Sequence, residues 1–413
     1  MAGSLPEAFR GGKPHRTARK SEAMPPSRHR LAEILAAFLR LGLTSFGGPV
    51  AHLGFFRAEF VERRRWLGDA AYADLVALCQ LLPGPASSQV GFALGYLRAG
   101  LPGALTAWAA FTLPSAGIMI ACAYGFGGAH PAAGWLHGLK VAAVAVVAQA
   151  VWQMARQLCP DGPRAALALG AAALALGVPT PWMQLGLIAL GLLLGPRMIR
   201  VTLAAPEENH LPVRPSAFSA ACLGLFFALL AGLPLLALAT SNHWLAMADG
   251  FYRTGALVFG GGHVVLPLLQ AETVGHGWIS REDFLAGYGA AQALPGPLFS
   301  FAAYLGVFAG PGWPGGLWCL AAIYLPTFLL VVGALPHWQA LRTRPGARGA
   351  LAGANAVVVG LLLAAFINPV ATSALTAWPA VGLALISWAA LQFLKIPPWL
   401  LVLACALAGR MIL

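Results

Sequence analysis

The sequence predicts an all-α polytopic membrane protein of about thirteen transmembrane segments, internally duplicated and built from broken helices. Three observations predict it. Of 413 residues, 59% are hydrophobic and only 10% are charged, against roughly 25% charged in a typical soluble protein. Glycine (49) and proline (31) make up about a fifth of the chain, so breakers must sit inside the apolar segments. Finally, rare residues recur in order across the two halves. The apolar runs are long and do not alternate, which argues against a transmembrane β-barrel.

Taken in order, residues 1–30 form a basic tail. It carries Arg10, Lys13, Arg16, Arg19, Lys20, Arg28 and Arg30 against Glu7 and Glu22, with no apolar core of a signal peptide. Basic residues flanking spans orient them, so the tail is expected on the cytoplasmic side. A span needs about 20 mostly apolar residues. Candidates are 31–56, 74–97, 102–126, 136–157, 164–178 and 181–199 in a first half covering 31–199. Residues 200–244 hold a polar linker and a connecting span, 216–239. A second half, 245–413, offers 245–269, 284–308, 314–335, 350–367, 371–391 and 396–412. The formal charge of +12 fits span orientation, and no nucleic-acid partner is expected. The six cysteines form no Cys-x-x-Cys pair, and packing is their expected role; no metal site or cofactor is expected.

The duplication is legible residue by residue. Arg40-Leu-Gly-Leu-Thr-Ser-Phe-Gly-Gly48 matches Arg253-Thr-Gly-Ala-Leu-Val-Phe-Gly-Gly261 at an offset of 213. Gln80-Leu-Leu-Pro-Gly-Pro85 matches Gln292-Ala-Leu-Pro-Gly-Pro297 at an offset of 212. Trp66, Ser88 and Leu113-Pro114 match Trp278, Ser300 and Leu325-Pro326. Duplication with interrupted helices is characteristic of secondary transporters. With six segments per half and one between them, the halves insert in opposite senses, and thirteen crossings put the C-terminus outside. This inverted repeat is the preferred arrangement. It leaves the basic loop Arg57, Arg63, Arg64 and Arg65 outside, against the positive-inside rule. The alternative is that 31–56 enters and returns as a hairpin with Gly47-Gly48-Pro49 at its tip.

The breaks carry the chemistry. At Gly47-Gly48 and Gly260-Gly261, a half-helix can present N–H groups and a positive dipole end to a cavity, which suits an anion; close helix packing is the plain alternative. Pro83-Gly84-Pro85 and Pro295-Gly296-Pro297 unwind the chain more forcefully. Gln80, Gln292, Ser88 and Ser300 bring neutral hydrogen-bonding groups beside them, which suit an oxyanion. Arg40 and Arg253 lie in or at the edge of apolar segments, where a cation is a functional candidate; the guanidinium fork matches tetrahedral oxyanions. For proton coupling the candidates are Asp74, His52 and His263, although a core histidine and a helix-start acid are the ordinary readings. There is no Gly-x-x-x-x-Gly-Lys loop and no catalytic constellation, so an enzyme is not expected.

With these residues in view, the chain resembles the chromate ion transporter family. The resemblance rests on Phe46-Gly-Gly-Pro49, the Arg/Glu-rich loop before Trp66, and the Gln-x-x-Pro-Gly-Pro element in both halves. It covers roughly residues 31–126 and 245–335 and looks like the long, two-domain form. It implies a bacterial inner-membrane exporter of chromate, driven by the proton gradient or membrane potential and linked to chromate resistance. The second copy departs from the pattern, reading Phe-Gly-Gly-Gly at 259–262. Expected partners are the lipid bilayer and a small oxyanion, chromate or alternatively sulfate, which shares its charge and shape. A non-transporting membrane protein would leave the duplicated breaks unexplained. Oligomeric state is open, a homodimer being one candidate.

Overall fold

The structure is a computed structural model that describes residues 27–46, 48–126, 134–178, 181–199, 215–259, 265–338 and 344–412. Among the described residues it is helical, with no strand. The helices are α1 (Ser27–Thr44), α2 (Gly48–Phe56, continued by a π-helical stretch Arg57–Arg63), α3 (Asp69–Leu81), α4 (Ala86–Phe126), α5 (Gly134–Leu158), α6 (Gly162–Gly177), α7 (Pro181–Met198) and α8 (Ala217–Thr240). There follow α9 (His243–Leu257), α10 (Val265–Thr273), α11 (Arg281–Ala293), α12 (Phe301–Ala309), α13 (Trp313–Ala334), α14 (Pro345–Ala365), α15 (Trp378–Gln392) and α16 (Pro398–Ile412).

The segments before Gly100 turn back instead of crossing. Glu33, near the start of α1, accepts hydrogen bonds from Arg64 (3.2 Å) and Trp66 (3.0 Å), beyond the end of α2. The chain has entered and returned, with Gly48 at the far end. The same Glu33 bonds Arg98 at 2.9 Å, so α3 and the first arm of α4 form a second hairpin, with Pro83-Gly84-Pro85 at its tip. The 13 residues of α3 rise about 20 Å at 1.5 Å per residue, enough to reach the middle of a hydrocarbon core about 30 Å thick. Helix α4 itself reverses at Ala99 (φ −147°, ψ 26°) and Gly100 (φ +64°, ψ −156°). A Cβ on Gly95 would run into the carbonyl oxygen of Gly103, and the reverse; on a straight helix these residues would stand about 12 Å apart. The second half repeats the design. The His243 ring lies 5.4 Å from that of Trp278 and the side chain reaches the Ala309 carbonyl, which closes α9–α10 and α11–α12 at one end. Four of the thirteen apolar segments, 31–56, 74–97, 245–269 and 284–308, thus fold as hairpins, and the expected count of thirteen crossings is not confirmed. The Arg57–Arg65 loop comes back to the side from which α1 starts, removing its conflict with the positive-inside rule.

The long helices interlock the repeats. Helix α5 packs against α11, α15 and α16, while its repeat equivalent α14 packs against α6 and α7. Small residues permit the close approach: Gly138 meets the Cys405 backbone, and Gly195 meets that of Gly349. Each half's inner helix is thus held by the last two helices of the other half. Between the halves, α8 packs on α9 and α13 with most of its surface exposed. Leu238 (77% exposed), Leu235 and Phe227 give it an apolar outer face suited to lipid. Five helical stretches are long and apolar enough to cross a membrane, one of them the folded α4.

Candidate functional site

The four hairpin tips meet, and they meet across the repeats. The Gly84 N–H donates to the Val258 carbonyl at 2.6 Å, and the Gly296 N–H donates to the Ser45 carbonyl at 3.0 Å. Val258 and Ser45 are equivalent positions immediately before the two Phe-Gly-Gly breaks. Each Pro-Gly-Pro tip is therefore tied to the residue that precedes the Phe-Gly-Gly sequence of the other half. Both glycines require their identity: Gly84 has φ +127° and Gly296 φ +92°, and a Cβ on Gly84 would sit 2.5 Å from the Gln89 amide nitrogen. That amide donates to the Pro83 carbonyl at 2.7 Å, satisfying a backbone group freed by the break.

Hydroxyls collect around this crossing. Ser45, Ser87, Ser88, Thr112, Ser115, Ser300 and Thr327 are all at most 4% exposed. Ser115 and Thr327, equivalent across the repeat, each lie 3.0 Å from the Cβ position of the other half's tip glycine. Ser88 Oγ lies 3.5 Å from the Tyr324 hydroxyl. His52 is buried between the Ser45 carbonyl (3.1 Å) and Ser87 Oγ (3.5 Å). Ser45 Oγ, Gln89 Oε1 and Thr327 Oγ1 are buried without a hydrogen-bond partner among the described residues. Buried polar atoms are normally paired, so unused bonding capacity is concentrated at the crossing.

A cavity of about 620 Å³ leads to it. Gly48, Gln292 and Gly296 line its inner end; Gln149, Gln153, Arg156 and Gln157 of α5, with Gln392 and Lys395 after α15, line its walls. Gly48 has φ +77°, and the space where its Cβ would lie is open. Among the described residues, no Asp or Glu lines this cavity. A smaller cavity of about 310 Å³, with Gln184, Gln270, Arg281 and Asn368 in its wall, lies by α10 and the α6–α7 connection. Walls of amide donors and guanidinium or ammonium groups favour anions.

The structure thus brings together Gly48, Pro83, Gly84, Ser88, Gln292, Gly296 and Ser300, with His52 alongside. Gln80 is exposed on α3, and Asp74 is half-buried there. Arg40 is exposed on α1 and does not line either cavity. Arg253 is nearly buried and bonds Asp249 (2.7 Å) and Glu272 (3.2 Å), so its fork is engaged by protein carboxylates. Gly47, Gly260, Gly261 and His263 lie outside the described residues. Sequence reasoning missed the cavity wall. Its signal was the Gln149, Gln153, Gln157 spacing, which puts three amides on one face of an apolar helix. Ser115 and Thr327 were also readable, each following a Leu-Pro pair in the repeat.

Two segments, 32–195 and 245–410, match the model of the chromate transporter family. The chain belongs to the chromate transporter family. It is 30% identical over 372 residues to the chromate transport protein of Pseudomonas aeruginosa, covering 88% of this chain and 86% of that one. It is 28% identical over 406 residues to the chromate transport protein of Cupriavidus metallidurans, covering 96% of each. The probable chromate transport protein of Synechococcus elongatus is 27% identical over 365 residues, 79% of this chain and 84% of its own. No solved structure matches. The family is one of transporters, and the helical, apolar architecture is that of a multi-pass membrane protein.

Proposed function

We propose that this protein carries chromate across the bacterial inner membrane, with the substrate passing between the interlocked hairpin tips. The observation that carries the reading is the reciprocal pair Gly84–Val258 and Gly296–Ser45, ringed by buried hydroxyls and reached by a cavity lined, among the described residues, by no carboxylate. A tetrahedral dianion accepts many hydrogen bonds. Ser88, Ser300, Gln292 and backbone N–H groups at the breaks supply donors without a fixed counter-charge that would hold it too tightly to leave. Gly48, Gly84 and Gly296 keep the passage free of side chains. The repeat halves, 31–199 and 245–413, lie in opposite senses on either side of α8, so one set of hairpins enters from each face. With the N-terminus cytoplasmic, the large cavity opens to the cytoplasm, which suits export driven by the proton gradient or the membrane potential. His52 and Asp74 remain the nearest candidates for a coupled proton.

The test is flux of radiolabelled chromate into everted membrane vesicles, with sulfate as competitor and an uncoupler as control. Uptake that the uncoupler abolishes is the expected result, and sulfate competition ranks selectivity. Uptake no greater than in vesicles lacking the protein, with folded protein present, would overturn chromate export.

A further inference from the structure

The helix α15 ends in a turn whose backbone favours glycine, yet the residue there is lysine. The Phe393 N–H bonds the Ala389 carbonyl at 2.8 Å, and the Ile396 N–H reaches back to that of Ala390 at 3.3 Å. This closure spans seven residues, Ala390 to Ile396, and a residue within it takes the left-handed conformation that glycine usually supplies at helix ends. Lys395 has φ +54° there, and Pro397-Pro398 follow, so the helix cannot continue through it. A strained non-glycine residue persists only where the surrounding structure holds it, and such residues cluster at functional sites. Lys395 lines the large cavity with Arg156. The Arg156 guanidinium stands 5.9 Å from the Trp152 ring, a contact that restrains it while leaving its charge uncancelled. Among the described residues, neither cation has an ion-pair partner and no carboxylate lines the cavity.

We propose that Lys395 and Arg156 form a capture station for divalent oxyanions, separate from the crossing of the hairpin tips. Two unpaired cations in one vestibule bind a dianion more strongly than a monoanion. The station therefore selects charge, and the tips select shape. This inference rests on the transport reading and adds where the anion is first held.

The experiment uses the full-length protein, both reconstituted in liposomes and purified in detergent. Lys395→Gly removes the charge and relieves the backbone. It is expected to leave the melting temperature unchanged or raise it, and to raise KM for chromate at least fivefold with a smaller effect on kcat. Lys395→Arg should keep KM within twofold. Arg156→Gln should act in the same direction as Lys395→Gly, and the double variant should lose the preference for sulfate over nitrate as competitor. Unchanged KM in both single variants overturns the proposal, as does a lowered melting temperature in Lys395→Gly with KM unaffected, which would make the lysine structural. If wild-type protein gives no saturable flux, the transport reading fails on its own. Equilibrium binding of labelled chromate to the purified protein then decides the station: a fivefold weaker binding in Lys395→Gly supports it, and equal binding overturns it.

Discussion

Arg40 and Arg253 occupy equivalent places in the repeat, and their surroundings have diverged. The position of Asp249 is Ala36 in the first copy, whereas Glu272 has Glu59 as its counterpart. Arg253 consequently joins two nearly buried carboxylates, while Arg40 is exposed with no ion pair among the described residues. Removing one partner of a buried ion pair typically costs about 3–5 kcal/mol, because the remaining charge is stranded. Arg253→Ala should therefore lower the melting temperature and membrane abundance sharply. Arg40→Ala should leave abundance unchanged, measured by blotting of membrane fractions. Gly48 separates strain from blockage. Its φ of +77° with open space at the Cβ means that Gly48→Ala meets only the left-handed penalty, about 1–2 kcal/mol. Gly48→Leu also fills the cavity end, so it should abolish chromate flux where Gly48→Ala retains part of it. The breaks were readable because glycine and proline announce themselves locally. The Asp249–Arg253 pair was also readable, from its i,i+4 spacing; the Glu272 contact was not, since Glu272 lies on a different helix and nothing in the spacing joins it to Arg253.

Among the elements, the hairpins mark where sequence reading runs short. The stretch 31–56 is apolar and long enough to span, and length alone cannot say whether a chain passes through or comes back. The deciding contacts, Glu33 with Arg64, Trp66 and Arg98, join residues far apart in the chain. The arginine loop did carry a hint, because its charge belongs on the same side as the basic tail. The geometry predicts that, in a cysteine-free background, Cys substituted at Arg65 reacts with a membrane-impermeant thiol reagent from the same face as a tag on the N-terminus. Cys at Gly277, in the equivalent loop of the second half, should react from the opposite face. Labelling of both positions from one face would remove the inverted arrangement. Within α4, Gly103→Val should unseat the reversal at Gly100, because its side chain would meet the Gly95 carbonyl; the readout is loss of folded protein in detergent.

For the whole molecule, the duplication was legible from rare residues in register, but the way the copies embrace was not. Packing of α5 on α15–α16 and of α14 on α6–α7 depends on small residues scattered through generic apolar helices, which carry little sequence signal. It follows that neither half is complete alone. A chain divided within 200–214 should yield two fragments that accumulate and restore chromate flux only when expressed together, and each fragment alone should be degraded. Independent accumulation of either fragment would mean that the interlock contributes little to stability.

The same interlock sets a schedule for synthesis. Helix α5 ends at Leu158, but the helices that clasp it are complete only at Ile412. At about 5–20 residues per second, the ribosome needs roughly ten seconds to most of a minute to deliver them. Until residue 258 is made, Gly84 lacks its Val258 acceptor, and until the chain is complete α5 lacks its sheath. The protein's most exposed moment thus falls during its own translation, when quality-control proteases and insertion factors compete for a half-built molecule.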